Sequence, residues 1–412
     1  SSGSGSSGKD GIQMVTYPED WTESKLLDHV NLVQGLTYTP ENVKPSGTLV
    51  LRSSNIQNGT LSLLDNVYVN VNVPEEKTVQ PGDILVCVRN GSSALIGKSC
   101  ILPRLSNTTF GAFMSVLRGD TTGFFAKLFE SDIVQEQVRG RSNATINQIT
   151  KKDFQSIEVT VPSESEQKDI AQTLGCFDVY ITDLSELIEK KRGIRDGALE
   201  DLMVGRTRIA GYCGERKEYT ISDITRTVIT GGTPSTARQE YYGGNIPWLS
   251  STEIHQKRIK KPTTYITDLG LQNSSAKIAP ERSVLIALAG QGKTRGTAAY
   301  LTRPMALNQS LAALVTNEKC NPEFLYYLIE SMYLSLRELS SGDGGRGGLN
   351  KKLIKGVTVT IPVDVAEQET IADTLTVMDE EIEALEIERD KIIQIREGAM
   401  DDLLTGRVRL KV

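Results

Sequence analysis

Arginine, lysine, asparagine and glutamine gather in glycine- and serine-rich loops in two separate parts of this 412-residue chain. In the first part they are Arg52 and Asn55, then Arg89, Ser92, Ser93 and Lys98, then Arg141 and Asn143 within Arg139-Gly-Arg-Ser-Asn143. In the second they are Ser250 and Ser251, then Gln291, Lys293 and Arg295, then Asn308 and Gln309, and last Arg346, Asn350, Lys351 and Lys352. A guanidinium chelates guanine O6 and N7, and a carboxamide chelates adenine N6 and N7. Lysine, serine and backbone N–H groups suit phosphate oxygens. Singly, each loop reads as an ordinary surface turn. Their recurrence at matching places, just after or between strands, points to double-stranded DNA.

Other chemistries lack a component. Gln291-Gly-Lys-Thr294 has the hydroxyl-bearing end of a phosphate-binding loop, but Ala287 stands where the turn needs glycine. Asn321-Pro-Glu-Phe324 is close to the Asn-Pro-Pro-Phe/Tyr loop of adenine methyltransferases, yet Glu323 replaces the second proline and no glycine-rich loop after a strand precedes it. A helix cap, with Asn321 as N-cap and Pro322 in the first turn, explains that segment better. The only histidines are His29 and His255, and the five cysteines are scattered without metal-ligand spacing. No catalytic residue set and no metal site is expected, and the cysteines read as reduced thiols of a cytoplasmic protein.

The net charge of −6 hides a split. Residues 216–362 carry 19 basic and 11 acidic side chains, whereas 363–412 carry 6 and 14. A basic domain between acidic segments allows a polyanion partner at one place and a protein partner at another. No apolar run is long enough to span a membrane. The opening SSGSGSSG reads as a linker or disordered arm, expected over 1–16.

These loops must be positioned by a scaffold that occurs twice. Gln167–Ile209 and Gln368–Leu410 align at an offset of 201 with 18 identities and no gap, so the chain is a tandem duplication rather than a many-repeat solenoid. The globular parts repeat as well. IEVTVP (157–162) returns as VTVTIP (357–362), and LFES (128–131) as LIES (328–331). Short strand-like runs punctuated by Gly, Pro, Asn and Ser predict a β-rich domain over 17–162 and another over 210–362, with helical pieces over Thr122–Gln137 and Glu323–Leu339. Long helices are expected over 163–209 and 363–412. Ile170, Leu174, Phe177, Ile181 and Leu184 step by a heptad pattern, as do Ile371, Leu375, Met378, Ile382 and Leu385. That seam predicts two helices packing on each other, each a rod of roughly 50 Å over some 33 residues. Gly-Arg closes each copy.

In this duplicated order the segments IEVTVPSESEQKDIAQTL and VTVTIPVDVAEQETIADTL, with PEDW (18–21), RSSNIQNG (52–59) and SGDGGRGGLNKKLI (341–354), resemble the specificity subunits of Type I restriction–modification enzymes. The resemblance implies an α+β fold in which two β-rich target-recognition domains are joined by two long helices. The helices would pair as an antiparallel coiled coil in a pseudo-twofold repeat. It implies a non-catalytic reader of a bipartite DNA site whose helices set the spacer. The implied partners are two methyltransferase subunits, which would bring S-adenosylmethionine, and translocating restriction subunits. Arg206, Arg208, Arg407 and Arg409 fall on the expected docking surface. A Type IIB-like fused restriction–methylation system would use the same architecture.

Overall fold

The computed structural model describes residues 16–141, 147–290, 293–339 and 348–410. The chain forms two compact units, one of residues 1–184 and 388–412 and the other of 185–387. The boundary cuts through two long helices, Glu164–Val204 and Val365–Leu404, of 41 and 40 residues. Both outrun the 33 residues read from the heptad seam, and their last turns carry the buried Leu199, Leu202 and Met203 and Leu403 and Leu404. Among the described residues, no helix is long and apolar enough to cross a membrane.

Unit 1 contains two four-stranded sheets. In one, Thr48–Leu51 lies between Thr108–Phe110, which is parallel to it, and Val67–Val69, which is antiparallel and continues to Val43–Lys44. The other runs Asn31–Gln34, Met114–Arg118, Ile84–Cys87 and Ser99–Ile101, all antiparallel. Unit 2 repeats the plan with a sheet ordered Thr225–Thr230, Leu311–Thr316, Val284–Ala287, Ala298–Leu301 and Arg258–Ile259. Its second sheet sets Tyr242–Leu249 between Thr264–Ile266 and the parallel Met305–Leu307. In each unit a closing strand pairs antiparallel with an opening one, Glu158–Val161 with Thr22–Lys25 and Thr358–Pro362 with Arg216–Thr220.

The single helices expected over Thr122–Gln137 and Glu323–Leu339 are each broken in two. They run Phe124–Glu130 then Asp132–Arg141, and Pro322–Ser331 then Tyr333–Leu339. The break falls at the repeated serine. Ser131 Oγ donates to Leu128 O at 2.6 Å, and Ser331 Oγ donates to Leu328 O at 2.8 Å. A hydroxyl bonded back into its own turn competes with the helix ladder.

Each globular core is completed by both long helices. In unit 1, Ile170 and Leu174 from the first helix and Leu403 and Leu404 from the end of the second join Trp21, Phe124 and Phe129. In unit 2, Leu199, Leu202 and Met203 pack with Ile371, Ala372 and Leu375 around Phe324 and Tyr327. Part of the seam expected between helices therefore serves a domain core. Of the remaining seam residues, Leu184 and Ile382 are buried, while Phe177, Ile181, Met378 and Leu385 are half-buried along the helices. Deleting one such leucine from a packed core costs about 2–5 kcal/mol.

The helices run antiparallel in both units, and one ionic arrangement occurs in each. In unit 1, Arg396 Nε binds Asp178 at 2.6 Å and its Nη2 binds Glu130 at 2.8 Å. In unit 2, Arg195 Nη2 binds Glu330 at 2.5 Å, and its Nε faces Asp379 at 2.9 Å. That last contact is an ion pair off the hydrogen-bond angle, and the hydrogen bond runs from Nη2 to Asp379 Oδ2 at 3.2 Å. The arginine and aspartate come from opposite helices, and the glutamate from the LFES or LIES helix of the globular part. Burial works against the Arg195 charge, but Glu330 and Asp379 more than offset it, leaving the guanidinium above its ordinary pKa.

A second repeated pair lies near the helix ends. Arg409 binds Glu166 at 2.5 Å and Asp20 at 3.0 Å, and Arg208 binds Glu367 at 2.7 Å. The glutamine after each glutamate anchors the strand exit, since Gln167 Nε2 donates to Pro162 O and Gln368 Nε2 to Pro362 O.

With its side chain 5 % exposed, Arg195 would be left as an uncompensated charge if its partners were removed. Breaking such a pair costs about 3–5 kcal/mol. Asp379→Ala leaves Glu330 beside Arg195 and is expected to destabilise the protein to urea by about 1–3 kcal/mol, and a double-mutant cycle with Arg195→Ala should give a coupling above about 1 kcal/mol. Additive losses would show that the pair contributes nothing beyond packing.

Candidate nucleic-acid interface

In unit 1 the parallel pairing of Thr48–Leu51 with Thr108–Phe110 brings the loops after both strands to the same end. Gly111 N donates to Leu51 O at 2.9 Å, and Leu36 N donates to Phe110 O at 2.7 Å, which adds the segment after Asn31–Gln34. Only glycine fits at Gly35, where a Cβ would meet Gly111 O at 2.0 Å. Arg52 opens the 3-10 turn Ser53–Asn55 and pairs with Asp65 at 2.7 Å. Asn90 Nδ2 donates to Ser53 Oγ at 3.1 Å and joins the Arg89 loop to this end. There the Arg89 guanidinium lies 5.0 Å from the ring centre of Phe113, which is 56 % exposed.

Unit 2 builds the same end. Trp248 and Leu249 run parallel with Ala306 and Leu307. Asn308 N donates to Leu249 O at 2.9 Å, and Gly232 N donates to Leu307 O at 3.0 Å. A Cβ on Gly231 would meet Leu307 O at 1.8 Å, so the close approach again requires glycine. Ser250 caps the 3-10 turn Ser251–Gln256, in the place that Arg52 holds in unit 1. Gln309 is exposed and its Oε1 accepts from Thr233 Oγ1 at 2.7 Å. Each unit thus presents a glycine segment, a capped 3-10 turn and a strand-exit turn.

Several residues singled out from the sequence are committed to the fold. Asn55 is fully buried; its Oδ1 accepts from Arg52 N, and its Nδ2 donates to the carbonyls of Ser62 and Asp65. Buried Asn308 accepts from Ser310 N. Arg141 is held by Ser156 and the Gln137 carbonyl. The two asparagines order loops, because short polar side chains satisfy nearby backbone groups before they reach a ligand. Arg141 ties its helix to the turn before the closing strand.

Others are on the surface. Ser92, Ser93, Lys293, Asn350, Lys351 and Lys352 are exposed, and Ser251, Lys98 and Arg295 are half-buried. Asn350 uses its Oδ1 to cap the helix Lys351–Lys355. Asn143, Gln291 and Arg346 lie outside the described residues.

The structure adds Lys151 and Lys152. They begin the helix Lys151–Gln155, capped by Thr150 as Asn350 caps its counterpart, and both are exposed. The offset of 200 that relates the closing strands also relates these lysines to Lys351 and Lys352, so the signal was present in the sequence. The four arginines expected to face a partner are engaged within the chain. Arg206 binds Glu200 and Asp201, Arg407 binds Asp401 and Asp402, and Arg208 and Arg409 form the pairs described above. Among the described residues, no group of His, Cys, Asp and Glu gathers as a metal site.

Residues 18–191 and 214–395 both match the family model described as the Type I restriction modification DNA specificity domain. The putative Type I restriction enzyme MjaX specificity subunit of Methanocaldococcus jannaschii is 22% identical over 96% of this chain and 95% of its own length. The EcoKI specificity subunit of Escherichia coli K12 is 32% identical over 38% of this chain, a match that spans only 36% of that relative. In fold, the S subunit of a Type I restriction–modification system from M. genitalium superposes with a TM-score of 0.61 at 16% identity, covering 96% of this chain and 97% of that one. The two matched stretches take in most of the sequence and each contains one of the three-loop ends, and the chain belongs to the Type I restriction–modification DNA specificity family.

Proposed function

We propose that the chain is the non-catalytic DNA-reading subunit of a Type I restriction–modification complex. Each three-loop end enters a major groove and reads one half of a bipartite site. The observation that carries this reading is the one-for-one repetition of the loop end with different side chains on it. Arg52, Arg89 and Phe113 stand in unit 1, while Ser250, Thr233 and Gln309 stand in unit 2. One frame carrying two chemistries suits two different half-sites. The lysine pairs suit backbone phosphates, which fix register without carrying sequence.

The long helices act as the ruler for the unread spacer, and they dock two methyltransferase subunits. Their outer faces expose Val179, Leu187, Ile194, Val377 and Ile395, apolar positions that a partner helix would cover. S-adenosylmethionine would be bound by the methyltransferase subunits, and translocating restriction subunits would complete the assembly.

The test is selection from a random DNA pool by the chain assembled with its methyltransferase subunits. One bipartite sequence with a fixed gap is expected, and no preferred sequence would overturn recognition as the role. Replacing Lys351 and Lys352 by alanine should weaken all sequences alike and lower the salt-dependence slope by about one for each phosphate no longer neutralised. Arg89→Ala should change preference only in the half-site of unit 1; equal loss in both halves would contradict independent readers. Inserting one helical turn in a single long helix should change the spacer and leave both half-sites intact. An unchanged spacer would show that the helices are not the ruler.

A further inference from the structure

The two loop ends differ at one equivalent pair of positions. The backbone bonds that match Leu36 with Gly232 and Gly111 with Asn308 also match Thr37 with Thr233 and Ala112 with Gln309. In unit 2 the Thr233 hydroxyl is bonded to the Gln309 amide. In unit 1 the partner of Thr37 is an alanine, which has nothing to offer the hydroxyl, and two cavities open on either side of this pair.

The larger, of about 690 Å³, is walled chiefly by Leu36, Tyr38, Val43, Phe113 and Met114. At its polar edge Arg52 Nε and Ser54 Oγ are shielded from solvent and have no hydrogen-bond partner among the described residues. The smaller, of about 220 Å³, is lined by Gln34, Gln148, Thr150 and Lys151. Thr37 and Ala112 belong to both. An apolar recess therefore adjoins a carboxamide-lined one, with unsatisfied donors at the rim.

In the major groove an A·T pair alone offers a methyl group beside a donor–acceptor edge that a carboxamide can chelate. We propose that the first unit reads an A·T base pair, with the thymine methyl in the apolar recess and the adenine N6 and N7 facing Gln34 or Gln148. This rests on the DNA-reading role above and adds to it a base and a contact. Phe113 forms the outer wall over the methyl, with the Arg89 guanidinium against its ring. In unit 2 the equivalent pair is joined by the Thr233–Gln309 bond, which satisfies both groups.

The test uses the assembly with methyltransferase subunits and the bipartite site selected from a random pool. Each thymine is replaced in turn by deoxyuridine, which lacks only the methyl. At one position in the half-site of unit 1, binding should fall about four-fold, the worth of one buried methyl. Phe113→Ser, a change at an exposed position, should abolish the difference between thymine and uracil there and leave the other half-site unaffected. Gln34→Ala or Gln148→Ala should relax the preference for adenine opposite that thymine. If bipartite binding is intact but no thymine methyl in that half-site matters, or if the penalty survives Phe113→Ser, the inference is overturned while the reading role stands. A pool that yields no preferred site would remove the role and this inference with it.

Discussion

A guanidinium shared by two carboxylates from different elements is the constraint on which this fold depends. Arg396 and Arg195 each bind an aspartate on the opposite long helix and a glutamate on the globular part. Three surfaces that could slide against one another are thereby held in one register. Leucine and isoleucine packing is nearly indifferent to a shift by a whole heptad, because the seam repeats itself. A charge needing two partners is not. Removed from water, it is costly to leave unmatched, so every shifted register is penalised.

That division of labour explains why the duplicated parts differ where they do. The aspartate, glutamate and arginine of the clasp recur at matching places in both copies, as does the Arg–Glu pair near the helix ends. Around the clasp, chemistry varies within the same geometry. Lys127 binds Asp178 in unit 1, where Tyr327 donates to Asp379 in unit 2. At the loop ends the backbone bonds repeat one for one while the side chains diverge. The two loop ends thus share a backbone frame and differ in the side chains mounted on it.

Much of this is legible in the sequence, and the residues show where legibility stops. The duplication, the long helices and the β-rich domains follow from a constant offset and from periodicity. Asn55 and Asn308 look like base-contacting groups because asparagine in a polar loop has the same signature whether it faces solvent or closes its own turn. Only the backbone path tells which. The clasp is visible as the echo of LFES in LIES, but not its meaning, since its partners lie on other elements and no local pattern joins Glu130 to Arg396. The apolar recess is invisible for the same reason, being walled by segments around residues 36, 52 and 113 that meet only through the parallel strand pairing.

The compact units also do not coincide with the repeats. Each repeat, read along the chain, is a domain followed by a helix. Each unit instead takes the start of its own helix and the end of the other, so Leu403 and Leu404 complete the core around Trp21, and Leu199, Leu202 and Met203 complete the one around Phe324. A repeat cut out by sequence would expose the apolar face that the other copy's helix end covers, and would leave a clasp aspartate and glutamate without their arginine. Neither copy by itself contains the residues that finish its own core.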